Sequence, residues 1–126
     1  MYFDLSGVTN TIASATLYFK GSGAAGIPTS YLVPSSQGSP LSVSDYSRFT
    51  YTNLGKGTTW PQKGVQGSIT LNAAGISYLN SMIGKTAKMA MIGGSDYSDN
   101  TPVNPTDIYS NLDVTTTFLE LVFVTP

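Results

Sequence analysis

The chain has 126 residues, of which 40% are hydrophobic and only 10% are charged, and its formal net charge is −1. Because it holds neither histidine nor cysteine, it lacks the residues of Ser-His-Asp and Cys-His nucleophiles and of ordinary zinc sites. Its scattered lysines form no basic patch for nucleic acid, and no apolar run approaches the roughly 18 residues of a membrane helix. We therefore expect a non-enzymatic structural or binding protein.

Alternation of apolar and polar residues with a period of two is the dominant pattern along the chain, and it predicts β-strands. The alternation is clearest at residues 13–19, 65–71 and 119–124, and weaker strands are expected at 2–5, 29–33, 48–52, 88–92 and 108–112. Val122 and Val124 occupy the alternate positions of the last clear strand. That strand is therefore expected to be buried on both faces along part of its length.

One segment breaks this alternation and predicts a short α-helix at about residues 73–83. Ile76, Leu79 and Ile83 follow one another at helical spacing. The side chain of Asn72 can cap the first turn, and Gly84 can adopt the left-handed conformation that ends a helix. A helix of this length is too short to be stable alone, so we expect it to lie against the sheets.

The segments between these elements are rich in proline and glycine and are expected to be loops, at residues 21–26, 34–40, 53–64 and 93–106. About eight short strands, long connections and one helix predict an all-β fold. The expected architecture is an antiparallel β-sandwich, jelly-roll-like, with residues 1–126 forming a single domain.

The loop predicted at 93–106 collects the oxygen ligands that calcium prefers, in Asp96, Asp99 and Asn100. The spacing is not that of an EF-hand, and Asp and Asn also fold back onto their own backbone in turns. The prediction is therefore no cofactor, with a structural calcium ion as the alternative. A carboxylate pair for glycoside cleavage would need two acids facing a cleft, and nothing in the sequence indicates such a pair.

Four aromatic residues lie in or beside the predicted loops, and they are the candidate ligand site: Trp60, Tyr51, Tyr46 and Tyr97. An exposed flat ring can cover the C–H face of a sugar while neighbouring amides meet its hydroxyls. The alternative is that these rings pin long loops onto the end of the sandwich.

Several segments resemble a known family. Phe3–Ser6, followed by residues 11–18, is similar to the opening of DNRLRE-type domains, and residues 70–80, 96–102 and 118–123 resemble a phage and metagenome branch of that family. These domains are carbohydrate-binding-module-like β-sandwiches of microbial surface proteins and phage structural proteins. The resemblance implies a non-enzymatic, extracellular or virion-exposed sandwich and carries over no catalytic residue.

The resemblance also implies an incomplete sheet, because members of the family usually carry a further strand before the Phe3–Ser6 motif. An unpaired strand edge favours pairing with another chain. We expect a neighbouring subunit or an N-terminal segment to cover that edge. The expected partners are subunits of the same assembly, as a homo-oligomer or a strand-completing neighbour, with glycan as a further possibility and without nucleic acid or membrane insertion.

The function expected from these observations is that of a virion or extracellular surface structural protein, such as a decoration, a fibre or a capsid or tail accessory subunit. The alternative is a carbohydrate-binding module of a secreted or phage adhesion protein. A hydrolase is the third hypothesis, and it lacks an evident base or nucleophile. Low charge and a Ser/Thr-rich composition favour the structural protein.

Overall fold

A computed structural model describes residues 1–25, 29–38, 40, 42–44, 48–57, 64–99 and 109–125. Within these ranges the chain forms seven strands and two helices. Their order is β1 (Tyr2–Asp4), β2 (Ile12–Ala25), β3 (Ser30–Pro34), β4 (Gly55–Gly57), β5 (Gln66–Thr70), α1 (Ala73–Ser81), β6 (Thr86–Gly93), α2 (Gly94–Asp99) and β7 (Tyr109–Phe123).

The strands form two sheets in which every pair of neighbours is antiparallel. One sheet has four strands in the order β1-β6-β3-β4, and the other has three in the order β5-β2-β7. An isolated bridge between Gly55 and Leu71 links the β4 side of one sheet to the β5 side of the other. This architecture confirms the predicted all-β, antiparallel, sandwich-like fold.

One hydrophobic core lies between the sheets, built from the inward side of each alternating pattern. Leu17 and Phe19 of β2 supply its centre and are at most 2% exposed. Opposite them, Leu32 of β3 and Met89 of β6 are fully buried. Both sheets therefore depend on the same core, whose buried members are Leu5, Ile12, Ala15, Leu17, Phe19, Leu32, Leu54, Ile69, Leu71, Leu79, Ala87 and Met89.

The predicted helix is confirmed and begins as predicted at Ala73, but it ends at Ser81, two residues before the predicted end at 83. The Asn72 side chain accepts a hydrogen bond from the Gly75 N–H at 2.9 Å. Gly84 has φ +80°, the left-handed conformation expected just beyond the helix. Leu79 is fully buried in the core, so α1 lies against the sheets as expected.

Two strands are longer than the sequence predicts. The segment expected to be a turn at 21–26 is strand as far as Ala25, and the strands expected at 108–112 and 119–124 are parts of one strand, β7. The reason is that Gly21 pairs with Leu112 and Ala25 with Tyr109. These long-range pairings override the weak strand propensity of glycine, with irregularities in the pairing near Lys20 and Gly23.

Three further local predictions were wrong. Gly55–Gly57 is a strand inside a predicted loop, and Gly94–Asp99 is a helix inside another. The strand expected at 48–52 is reduced to a single bridge between Phe49 and Ser35. Each of these short segments takes its conformation from neighbours that are distant in sequence, which a local pattern does not register.

The burial predicted for both faces of the last strand is also wrong. Val122 and Val124 are each 51% exposed. Leu119 and Leu121, at the alternate positions, pack against the core, so Val122 and Val124 lie on the side that faces away from it.

Candidate functional site

The structure describes two of the four predicted ligand aromatics. Tyr97 lies on α2, where its ring stacks on Tyr31 of β3 with the centroids 4.0 Å apart. The Lys56 ammonium lies 5.6 Å from the centroid of the Tyr31 ring. Tyr51 is half-buried in the connection between β3 and β4. Trp60 and Tyr46 lie outside the described residues, so the proposed grouping of these four rings stays a prediction.

The predicted calcium ligands fall partly in a helix. Asp96 and Asp99 belong to α2, and Asn100 lies outside the described residues. In the described part of the chain, no group of three or more histidine, cysteine or acidic residues is placed to hold a metal ion. The premise of a calcium-binding loop is therefore wrong for residues 94–99, and calcium binding itself stays a prediction.

The outer face of the three-stranded sheet carries an aromatic pair that the sequence analysis missed. Tyr18 of β2 and Phe118 of β7 are paired across the strands, and their rings stack with centroids 5.0 Å apart and planes 20° apart. Ser68 of β5 is the partner of Tyr18 on its other side. Aromatic pairs of this kind add roughly 0.5–1.5 kcal/mol beyond the area they bury.

The row of residues beside this aromatic pair is polar. Thr16 lies between Thr70 of β5 and Glu120 of β7 in the strand pairing. Glu120 is exposed. The face therefore places a ring pair next to two hydroxyls and a carboxylate.

Exposed apolar side chains lie along the β7 edge of the three-stranded sheet. We call four of them the β7 stripe, and their exposed fractions are 40–51%: Phe118, Val122, Phe123 and Val124. The signal that could have located the stripe is the apolar residue at nearly every position of 118–124. This run has more apolar residues than one buried face of a strand requires, so it fits an exposed stripe as well as the predicted burial on both faces.

A groove runs beside the stripe, between the edge strand β1 of one sheet and the edge strand β7 of the other. Its volume is about 340 Å³. Among the described residues that line it, only Asp4 is charged, and hydrogen bonds from the Ser6 side chain and backbone N–H lower the pKa of its carboxyl. The groove is lined by Tyr2, Phe3, Asp4, Leu5, Val8, Thr117, Phe118, Leu119 and Leu121.

The β1 wall of the groove is held by contacts around Lys88 of β6. The Lys88 ammonium donates to the Gln37 carbonyl at 3.1 Å and lies 5.8 Å from the centroid of the Tyr2 ring. The Tyr2 hydroxyl in turn donates to the Gly38 carbonyl. These contacts tie Tyr2 to the segment that follows β3, so the side of the groove formed by β1 is well anchored.

No family model, curated protein or solved structure matches the chain. Neither described helix is long and apolar enough to cross a membrane.

Proposed function

We propose that this protein is a non-enzymatic structural subunit of an extracellular or virion surface. It is a sandwich that decorates or builds a larger assembly by packing against other subunits. The observation that carries this proposal is the β7 stripe, four apolar side chains at one sheet edge that are each at least 40% exposed.

Two physical arguments support this proposal. Contiguous exposed apolar side chains on a soluble protein mark interaction surfaces, because leaving them in water is unfavourable. A net charge of −1 with only 10% charged residues also gives little repulsion between copies, whereas a large net charge keeps proteins apart.

The test is to locate the protein in a culture that expresses it. Intact cells and purified particles are treated with a protease, and the released peptides are identified by mass spectrometry. We expect peptides of this chain from intact particles or cell surfaces. Recovery only from the soluble lysate would show that the proposal is wrong.

A stripe variant links that location to the surface described here. Val124→Lys places a charge in the stripe, and we expect it to lower the fraction that sediments with particles or envelopes. Val43→Lys is the matched control, because Val43 is 94% exposed and lies outside the stripe. Equal sedimentation of both variants would remove the stripe from the proposal.

A carbohydrate-binding module is the second candidate, favoured by the aromatic pair on the outer sheet face. A sugar could rest against Phe118, which is 49% exposed, while Thr16 and Glu120 meet its hydroxyls. Glycan-array binding lost in Phe118→Ala and kept in Val43→Ala would support this face. Loss in Trp60→Ala alone would favour the loop aromatics instead, and silence across the array would argue against both.

A further inference from the structure

We propose that the β7 edge pairs antiparallel with the β7 edge of a second copy, so that two three-stranded sheets join into one six-stranded sheet. This inference rests on the proposed structural function and names the contact between subunits. The segment concerned is residues 118–125.

The position of β7 is the first argument. Within the described part of the chain β7 pairs only with β2, so the three-stranded sheet ends at β7. Proteins usually place lysine or proline on such edges, which prevents them from pairing with another chain. Residues 118–125 contain neither, and Glu120 is their only charge. The edge therefore lacks the usual features that prevent association.

Charge disfavours one register of the pairing, and the matching of apolar residues favours another. A two-fold axis through Glu120 would place the two carboxylates directly opposite each other, which is unfavourable. An axis through Leu121 removes that opposition and places Glu120 opposite Val122 of the second copy. In this register Phe118 lies opposite Val124, and Leu119 lies opposite Phe123, so both of these cross-strand pairs are apolar.

The groove is the third argument, because it provides space for the added strand. Leu119 and Leu121 of β7 already line it, together with Phe3, Leu5 and Val8 on its other side. A strand laid along β7 occupies the mouth of the groove and turns its inward residues toward that apolar wall. The contact thus covers apolar surface on both walls of the groove, not only the backbone edge.

Sedimentation equilibrium tests the location of the contact. We expect the wild-type protein to dimerise, and Val122→Glu to weaken dimerisation at least about tenfold, since it places carboxylates directly opposite each other at two positions of the contact. Thr70→Glu is the matched control, exposed on β5 at the opposite edge of the same sheet, and should dimerise like the wild type. Circular dichroism verifies that both variants fold. A monomeric wild type, or equal dimerisation of both variants, would overturn the proposal.

Cross-linking tests the register, and the absence of native cysteine makes each introduced thiol unique. Glu120→Cys and Val122→Cys proteins are mixed and oxidised. Residues directly opposite on antiparallel strands have Cα atoms about 4.5–5.5 Å apart, within the range of a disulfide. We expect the mixed dimer as the main product, and no cross-link when Thr70→Cys replaces either protein. Cross-linking through Thr70→Cys, or none in the first mixture, would reject this pairing.

The outcomes separate the two proposals. A protein found on particles or cell surfaces that does not cross-link through β7 keeps the structural function and loses this contact. A protein that cross-links as expected but is recovered only from the soluble lysate keeps the contact and loses the proposed function.

Discussion

Gly75 shows how a single residue can be fixed by a neighbour that is distant in sequence. It lies in the first turn of α1, where helix propensity alone predicts that alanine would be better by about 1 kcal/mol. A Cβ at this position would lie 2.3 Å from the Leu54 carbonyl oxygen and 2.9 Å from the Leu71 Cβ. The backbone of the segment before β4 therefore leaves space only for glycine.

We expect Gly75→Ala to lower the free energy of unfolding by about 1–3 kcal/mol, because the clash with a backbone atom requires α1 or the Leu54 segment to shift. Urea denaturation measures the change. Gly7→Ala is the control, since a Cβ there meets no atom within 4 Å. A stabilised Gly75→Ala protein would mean that helix propensity outweighs the contact.

Tyr78 joins α1 to β6 through its hydroxyl, which donates to the Lys88 carbonyl at 2.6 Å and accepts from the Lys88 N–H at 3.1 Å. Burial raises the pKa of Tyr78 above its ordinary value of 10.0, against an opposing effect of the Lys88 hydrogen bond. The folded state therefore favours the neutral phenol. The contribution of the neutral phenol to the free energy of unfolding is complete below pH 10, and it is lost as the pH rises through the folded-state pKa.

We expect the free energy of unfolding to fall more steeply above pH 10 in the wild type than in Tyr78→Phe, which has no hydroxyl to ionise. At pH 7 the variant should be less stable by about 1 kcal/mol, since it lacks both hydrogen bonds. Urea titrations from pH 7 to 11 measure both effects. Parallel pH profiles of the two proteins would contradict the role given to the phenol.

At the scale of elements, α1 is fixed to β2 by a reciprocal pair of hydrogen bonds. Asn80 accepts from the Ile12 N–H at 2.8 Å and donates to the Ile12 carbonyl at 3.0 Å. Ile12 is buried, with 1% of its surface exposed, so few other partners can reach its backbone. The Asn80 side chain thus links α1 to the first residue of β2 by two hydrogen bonds, as the backbone of a neighbouring strand would.

Asn80→Ala should lower the free energy of unfolding by about 1–3 kcal/mol, because it leaves the buried N–H and C=O of Ile12 without these hydrogen-bond partners. Thermal and urea unfolding measure the loss, and Asn10→Ala, at an exposed position, should change stability little. A loss no larger than that of the control would show that water replaces the Asn80 amide.

The elements also show what the sequence could predict and why. The α1 signals are local, namely the Asn72 cap, the Gly84 terminus and the spacing of Ile76, Leu79 and Ile83, and the structure confirms the helix. The extension of β2 through Gly21 depends on pairing with β7, a segment about ninety residues away. Such pairing is invisible to a short sequence window, so β2 and β7 were predicted too short.

The candidate site was harder to predict than the fold. Aromatic residues near glycine and proline favour a site in the loops, whereas Tyr18 and Phe118 are distant in sequence and meet only through strand pairing. The alternation of residues 13–19 does place Tyr18 on the face away from the core. Knowing which strand lies beside Tyr18 requires the sheet order, which the sequence does not contain.

At the scale of the whole molecule, one core serves both sheets and α1. We expect far-ultraviolet circular dichroism, which follows the strands, and near-ultraviolet circular dichroism, which follows aromatic packing, to report the same unfolding midpoint. Leu17→Ala should lower the unfolding midpoint of both signals by the same amount. It should lower the free energy of unfolding by about 2–5 kcal/mol, since Leu17 is fully buried. Two separate midpoints would show that the sheets unfold independently and that the chain is more than one cooperative unit.

The bridge between Gly55 and Leu71 joins the two sheets on one side of the molecule, whereas the edge strands β1 and β7 on the other side belong to separate sheets. A subunit with unjoined edges on both sides could bind neighbours without limit and form a ribbon. In the proposed dimer, the two-fold pairing covers the β7 edge of both copies, so growth through this contact stops at two copies. Larger structures would then have to be built from such pairs through other surfaces.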